Sequence, residues 1–75
     1  MTVNYAYNYA EIDDVTNMCI GVHTSTDPNE AGPTGGGSTF VEIPVYDEEY
    51  GFKYYIDGNW YEDAEGTIPW SSSLL

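Results

Sequence analysis

An Asp-Gly pair between two aromatic runs is the feature that most constrains the fold of this chain. Residues 53–56 and 59–62 are rich in the aromatic side chains typical of strands, and Asp57-Gly58 connects them. Asp-Gly in a two-residue connection is typical of a type I′ hairpin turn, and such a short turn fixes the register of the strands. The expected cross-strand pairs are Ile56 with Asn59, Tyr55 with Trp60, Tyr54 with Tyr61, and Lys53, the only base, with Glu62.

Two earlier segments also alternate with the period of a strand. In the first, about residues 3–24, the period of two places one set of side chains on a single face, namely Val3, Tyr5, Tyr7 and Tyr9. Turn-forming residues 13–17 and a second alternating run follow, so we expect a hairpin. Residues 40–46 form the second segment, which we expect at a sheet edge because Pro44 lacks a backbone donor.

The remaining segments favour turns and loops. Residues 25–38 are dense in Gly, Pro, Asn and Ser, which predicts a flexible loop. Residues 47–49 predict an acidic turn or a short helical start, and residues 63–75 predict a second turn and an irregular tail. The whole chain, 1–75, is therefore predicted to be a single all-β domain with one small antiparallel sheet of about five strands built from hairpins.

Charge and size limit the function classes. The chain has 13 acidic residues and one base, for a formal net charge of −12. Nucleic acids and anionic membranes attract clustered Lys and Arg, so we expect neither as a partner. A domain of 75 residues has a marginal core. Because Cys19 is the only cysteine, no disulfide within the chain can support it, which leaves oligomerisation, a partner or cations.

Residues with catalytic or metal-binding chemistry are poorly placed. His23 and Cys19 are four residues apart on one predicted strand, so they should point to the same side but lie about 13 Å apart. Residues 27–32 resemble the start of a calcium-binding EF-hand loop but lack acids at its fifth and twelfth positions, Ala31 and Ser38. We therefore expect no catalytic residue, no cofactor and no metal site, with a calcium effect on stability as the test of the alternative.

The aromatic and acidic side chains are the ones that we expect to contact a partner. A chain this short cannot bury all eight tyrosines and two tryptophans, and exposed aromatics in a patch mark contact surfaces. The predicted partner-binding residues are Tyr5, Tyr7, Tyr9, Asp47, Glu48, Glu49, Trp60, Glu62, Asp63 and Trp70.

Several short β-elements together resemble small proteins and terminal modules encoded beside the tail and fibre genes of tailed phages and prophages. The matching segments are residues 9–13, 19–22, 40–43 and 51–60. In that family a Tyr-Ala-x-Ile-Asp strand and a Cys-x-Gly-Val strand precede a closing Gly-Lys-Tyr-x-x-Gly-x-Trp hairpin. This chain departs from the pattern at Phe52, which stands between Gly51 and Lys53, and residues 61–75 lie outside it.

The resemblance implies a non-enzymatic, virion-associated role in an oligomeric assembly, with other virion proteins or copies of the chain as partners. The charge supports an alternative, an acidic phage-encoded inhibitor that mimics DNA and binds the basic cleft of a host defence protein. We see no signal peptide at the start of the chain, so the expected location is the virion or the host cytoplasm.

Overall fold

The structure is a computed structural model that describes residues 7–75. Within this range there are six strands and one 3₁₀ helix: β1 (Tyr7–Asp13), β2 (Cys19–Ser25), β3 (Gly32–Pro33), β4 (Ser38–Ile43), the 3₁₀ helix (Glu48–Tyr50), β5 (Tyr54–Ile56) and β6 (Asn59–Tyr61). A four-stranded sheet has the order β2-β1-β4-β3, and β5 and β6 form a separate two-stranded sheet. The antiparallel all-β prediction is confirmed, whereas the prediction of one sheet of about five strands is wrong.

The strands divide into two sheets because the segments at β2 and β5 pair over only a few residues. Met18 and Tyr54 form an isolated bridge. The Cys19 N–H donates to the Lys53 carbonyl at 2.7 Å, and the Phe52 N–H donates to the Cys19 carbonyl at 2.9 Å. Phe52 has a left-handed backbone, with φ 69°, and the pairing ends there. Among residues 7–75, backbone hydrogen bonds therefore join the C-terminal hairpin to the larger sheet at one corner.

The C-terminal hairpin forms as the Asp-Gly pair predicts. Its register pairs Tyr54 with Tyr61, Tyr55 with Trp60, and Ile56 with Asn59. Asp57 has φ 52° and Gly58 has φ 84°, and a type I′ turn requires positive φ at both central positions. One step beyond the ladder, the Lys53 Nζ lies 3.9 Å from the Glu62 Oε1, as the register predicts.

The N-terminal hairpin contains a β-bulge that alternation did not predict. Glu11 pairs with Gly21, but Ile12 pairs with Cys19, so Ile20 is the extra residue. The bulge turns Cys19 towards the core face shared with Ile12, while His23, paired with Tyr9, lies on the other face. The prediction that Cys19 and His23 point to the same side is therefore wrong. Val3 and Tyr5, expected in this hairpin, lie outside the described residues.

The main core lies between one face of the four-stranded sheet and the C-terminal part of the chain. Its buried residues are Ala10, Ile12, Cys19, Ile43 and Tyr50. Half-buried side chains from the sheet and from the C-terminal part of the chain pack against these residues: Val22, Val41, Val45, Tyr55, Trp60 and Trp70. The hairpin thus covers the sheet through aromatic side chains.

The segment predicted as a flexible loop contains part of the sheet. Within residues 25–38, Gly32 pairs with Phe40 and Pro33 pairs with Thr39, so β3 extends the sheet beyond β4. β4 is consequently not the sheet edge that Pro44 led us to expect, and Pro44 lies just after its last residue. The Tyr9 hydroxyl donates to the Asp27 carbonyl at 2.7 Å, which holds the start of this segment against the second face of the sheet.

The C-terminal residues have no regular strand, as predicted, but are anchored at several points. Tyr61 and Pro69 form an isolated bridge, and the Trp70 N–H donates to the Trp60 carbonyl at 3.0 Å. The Ser72 hydroxyl, almost fully buried, donates to the Asp47 Oδ2 at 2.5 Å. The acidic segment also behaves as predicted, because Asp47 caps the 3₁₀ helix by accepting from the Glu49 N–H at 2.9 Å.

Candidate interaction surface

An open groove of about 210 Å³ lies between β2 and the segment around the 3₁₀ helix. One wall is the first part of β2, and the other is formed by residues from 46–52. The lining residues are Cys19, Ile20, Gly21, Val22, Tyr46, Glu48, Gly51 and Phe52.

Three large apolar or aromatic side chains around this groove are exposed. Ile20 is 49% exposed, Tyr46 is 42% exposed and Phe52 is 78% exposed. Ile20 is exposed because it is the bulged residue of β2, while its neighbour Cys19 faces the core. We call the groove together with these three side chains the β2 groove.

Phe52 combines exposure with an unfavourable backbone conformation. A positive φ is rare for a bulky residue with a Cβ and costs about 1–3 kcal/mol. Hydrogen bonds on both sides hold this conformation: the Phe52 N–H donates to the Cys19 carbonyl, and the Lys53 N–H donates to the Tyr50 carbonyl at 3.0 Å. The side chain is therefore directed away from the core by a backbone that the surrounding fold fixes.

The outer edge of β2 is open beside the groove. Among the described residues, β2 is the terminal strand of its sheet, and β1 is its one partner strand. Within residues 7–75, residues 52–55 cover this edge as far as Cys19, and no backbone hydrogen bond from a segment other than β1 reaches Ile20–Ser25. Unpaired donors and acceptors on an edge strand form a template for pairing with another chain.

The polar groups of the groove do not form a reactive site. Burial raises the pKa of the Cys19 thiol, and its Sγ donates to the Gly21 carbonyl at 3.2 Å. A protonated thiol in a hydrogen bond is a poor nucleophile. Glu48 is exposed and carries the one formal charge among the lining residues. The groove is therefore apolar with one acidic side.

The histidine takes part in a separate polar network on the other face of the sheet. The His23 Nε2 lies 3.1 Å from the Glu11 Oε1, and the Ser38 hydroxyl donates to the Glu11 Oε2 at 2.7 Å. The carboxylate stands between the imidazole and the hydroxyl, whereas a catalytic triad places the imidazole in the middle. Among residues 7–75, no three His, Cys, Asp or Glu side chains are grouped as metal ligands.

Three of the predicted contact residues are tied into the fold. Tyr9 is 1% exposed and Asp47 is 8% exposed, so neither presents a contact surface. Asp63 accepts from the N–H groups of Thr67 and Ile68, each at 2.9 Å, and from the Thr67 hydroxyl. The two aspartates satisfy internal donors, because a turn or cap leaves backbone N–H groups from which a carboxylate can accept, whereas the Tyr9 hydroxyl donates to the Asp27 carbonyl.

Both tryptophans predicted as contact residues belong to an aromatic cluster. The ring of buried Tyr50 packs edge-on against Trp60 and Trp70, with centroids 4.8 and 4.9 Å away. Tyr55 lies 5.0 Å from Trp60, and the Lys53 Nζ lies 5.3 Å from the Trp70 ring centroid. Trp60 and Trp70 are half-buried, and they join the hairpin and the C-terminal tail to the core.

The other predicted contact residues are dispersed. Glu48, Glu49 and Glu62 are exposed, but only Glu48 lines the groove; Tyr7 is half-buried, and Tyr5 lies outside the described residues. Ile20, Tyr46 and Phe52, which are exposed at the groove, are not among the contact residues predicted from the sequence. For Phe52 a signal was present, because it interrupts the Gly-Lys-Tyr pattern.

No known protein family, curated protein or solved structure matches this chain. In the part of the chain from residue 7 to 75, no helix has the length and apolar character needed to cross a membrane.

Proposed function

We propose that this protein is a non-enzymatic, virion-associated accessory or structural protein of a tailed phage, and that it acts through protein–protein contacts in a tail or fibre assembly. The observation that carries the contact role is the β2 groove, where Ile20, Tyr46 and Phe52 are exposed beside an open strand edge. The resemblance of the strand pattern to tail and fibre modules supports the phage context.

A contact role explains features that an isolated domain would avoid. Exposed apolar patches beside an edge strand favour association, and soluble proteins usually protect such edges with charges or a bulge. Here the bulge directs Ile20 outward, and Phe52 adds an aromatic ring beside it. A partner that covers both side chains would remove their apolar surface from water, and burial of apolar surface is the usual source of binding free energy.

The test is mass spectrometry of purified virions from phage that carries this gene, together with a deletion strain. We expect the protein in virions at a fixed copy number, and defective assembly after deletion. Phe52→Gly should reduce incorporation, whereas Val15→Ser, at an 88% exposed position in the β1–β2 turn, should not. Absence of the protein from virions, with normal assembly after deletion, would reject the proposal.

The exposed acids favour a second candidate, the inhibitor of a basic host defence protein. The C-terminal half of the chain presents exposed carboxylates at Glu48, Glu49, Asp57, Glu62 and Glu65. Binding through these groups should weaken steeply as salt rises, because exposed charges are screened. Titration against purified nucleases or CRISPR effectors at low and high salt would distinguish this candidate, since binding unchanged by salt contradicts DNA mimicry.

A further inference from the structure

We propose that the β2 groove binds an extended segment of another protein, rich in apolar side chains and carrying a lysine or arginine, which adds a strand to the open edge of β2. This inference rests on the proposed function, because it specifies the partner chemistry of the same surface.

The first argument is the position of the open edge. Residues 52–55 already pair with residues 17–19, the last of which is the first residue of β2, and the pairing stops at Phe52. The uncovered edge, Ile20–Ser25, begins where that pairing ends. Six residues of strand span about 20 Å, so a segment of similar length could continue the ladder. Strand addition of this kind derives affinity from main-chain hydrogen bonds and specificity from pockets for alternate side chains.

The second argument is the apolar groove at the start of this edge. Its volume, about 210 Å³, far exceeds the roughly 10–15 Å³ that a single water needs, so it has room for an apolar side chain. Ile20, Tyr46 and Phe52 border it. A side chain of the added strand that points into the groove would bury apolar surface on both molecules.

The third argument is charge, which selects a different molecule over a second copy. Glu48 lines the groove, and the chain carries a net charge of −12. Pairing two copies through this edge would bring like charges together, which is unfavourable. A lysine or arginine in the incoming segment would instead lie beside Glu48 and be attracted to the chain as a whole.

The fourth argument is the conformation of Phe52. An aromatic ring that is 78% exposed on a left-handed backbone contributes little to the free fold. The Phe52 ring would gain packing contacts when a partner segment covers it. The strain and the exposure thus occur at the point where the proposed strand would begin.

The experiment is selection of peptides from a random library of displayed eight-residue sequences, with the purified full chain as bait. Four baits are compared: wild type, Phe52→Gly, Glu48→Gln and the control Glu49→Gln, which makes the same charge change outside the groove. Amide hydrogen exchange with the enriched peptide, alone and bound, locates the site. Sedimentation of each bait without peptide reports self-association.

We expect enriched peptides that alternate apolar residues and contain lysine or arginine. They should slow exchange at amides of Ile20–Ser25, because within residues 7–75 only β1 forms backbone hydrogen bonds with this part of β2. Affinity should fall at least about tenfold in Phe52→Gly and about threefold in Glu48→Gln at low salt, with Glu49→Gln close to wild type.

Enriched peptides that are acidic, bind elsewhere or are unaffected by Phe52→Gly would overturn the proposal, as would a library that yields no binder. A dimer that depends on Phe52 would also overturn it, because the occupant would then be a second copy. If the protein is found in virions and Phe52→Gly reduces its incorporation, but no peptide binds along the edge of β2, the proposed function stands while this inference fails.

Discussion

Two aspartates show how an acid in this chain stabilises the fold instead of contacting a partner. The Ser72 hydroxyl and the Glu49 N–H lower the pKa of Asp47, and the Thr67 hydroxyl and the Ile68 N–H lower the pKa of Asp63. Donors that bind a carboxylate favour its charged form. Both aspartates therefore stabilise the folded chain as anions.

The first prediction concerns the pH dependence that follows from Asp63. Its folded pKa lies below the unfolded value of about 3.9, so its stabilising effect is complete above that value and is lost as the pH falls through the folded pKa. Asp63→Asn should lower the melting temperature at pH 7, and the difference from wild type should shrink below about pH 4. Thermal melts from pH 7 to pH 2 measure this.

Exposed Glu65 provides the matched control, because Glu65→Gln removes one charge from the same turn without removing these hydrogen bonds. Its melting temperature should stay close to wild type at every pH. A difference between Asp63→Asn and wild type that is constant from pH 7 to pH 2 would contradict the assignment.

At the scale of elements, the C-terminal hairpin depends on a turn that only a few residues can adopt. Gly58 has φ 84°, and a Cβ at such a position costs about 1–2 kcal/mol. Gly58→Ala should therefore lower the free energy of unfolding by about this amount, measured by urea denaturation. Gly36→Ala is the control, because Gly36 lacks a positive φ and a Cβ there meets only an ordinary contact at 3.7 Å. Equal effects of both substitutions would contradict the turn argument.

The aromatic cluster joins three elements, and Trp70 is its contribution from the tail. Each edge-on aromatic pair adds about 0.5–1.5 kcal/mol beyond the apolar area that it buries. Trp70 makes such contacts with Tyr50 and Trp60, so we expect Trp70→Ala to lower the free energy of unfolding by about 2–3 kcal/mol. The measurement is urea denaturation followed by circular dichroism. Leu74→Ala, at a position that is 60% exposed, should cost less than about 0.5 kcal/mol, and equal losses would reject this role.

At the scale of the whole molecule, the net charge of −12 opposes folding through repulsion between carboxylates. Salt shortens the screening length from about 30 Å at 0.01 M to about 3 Å at 1 M. The melting temperature should therefore rise with sodium chloride. Calcium and magnesium at equal concentration should produce equal rises, because screening does not distinguish them. A rise specific to calcium would instead indicate a cation site and revive the EF-hand comparison at residues 27–32.

The sequence by itself determined what depends on neighbouring residues. The Asp57-Gly58 turn, the register of its hairpin and the Lys53–Glu62 pair followed from spacing along the chain, because a two-residue turn leaves one way to align the strands. Residues 47–49 also predict an acidic turn or a short helical start, and the structure has a 3₁₀ helix at Glu48–Tyr50.

The tertiary structure decided which side chains are available to a partner. The bulge at Ile20 reversed the alternation of β2, and packing against Tyr50 placed Trp60 and Trp70 in a half-buried cluster. The groove exists because residues far apart in the chain, from β2 and from 46–52, meet around it. Short-range propensities do not encode such contacts, because they form only when distant segments pack together and bury a shared surface.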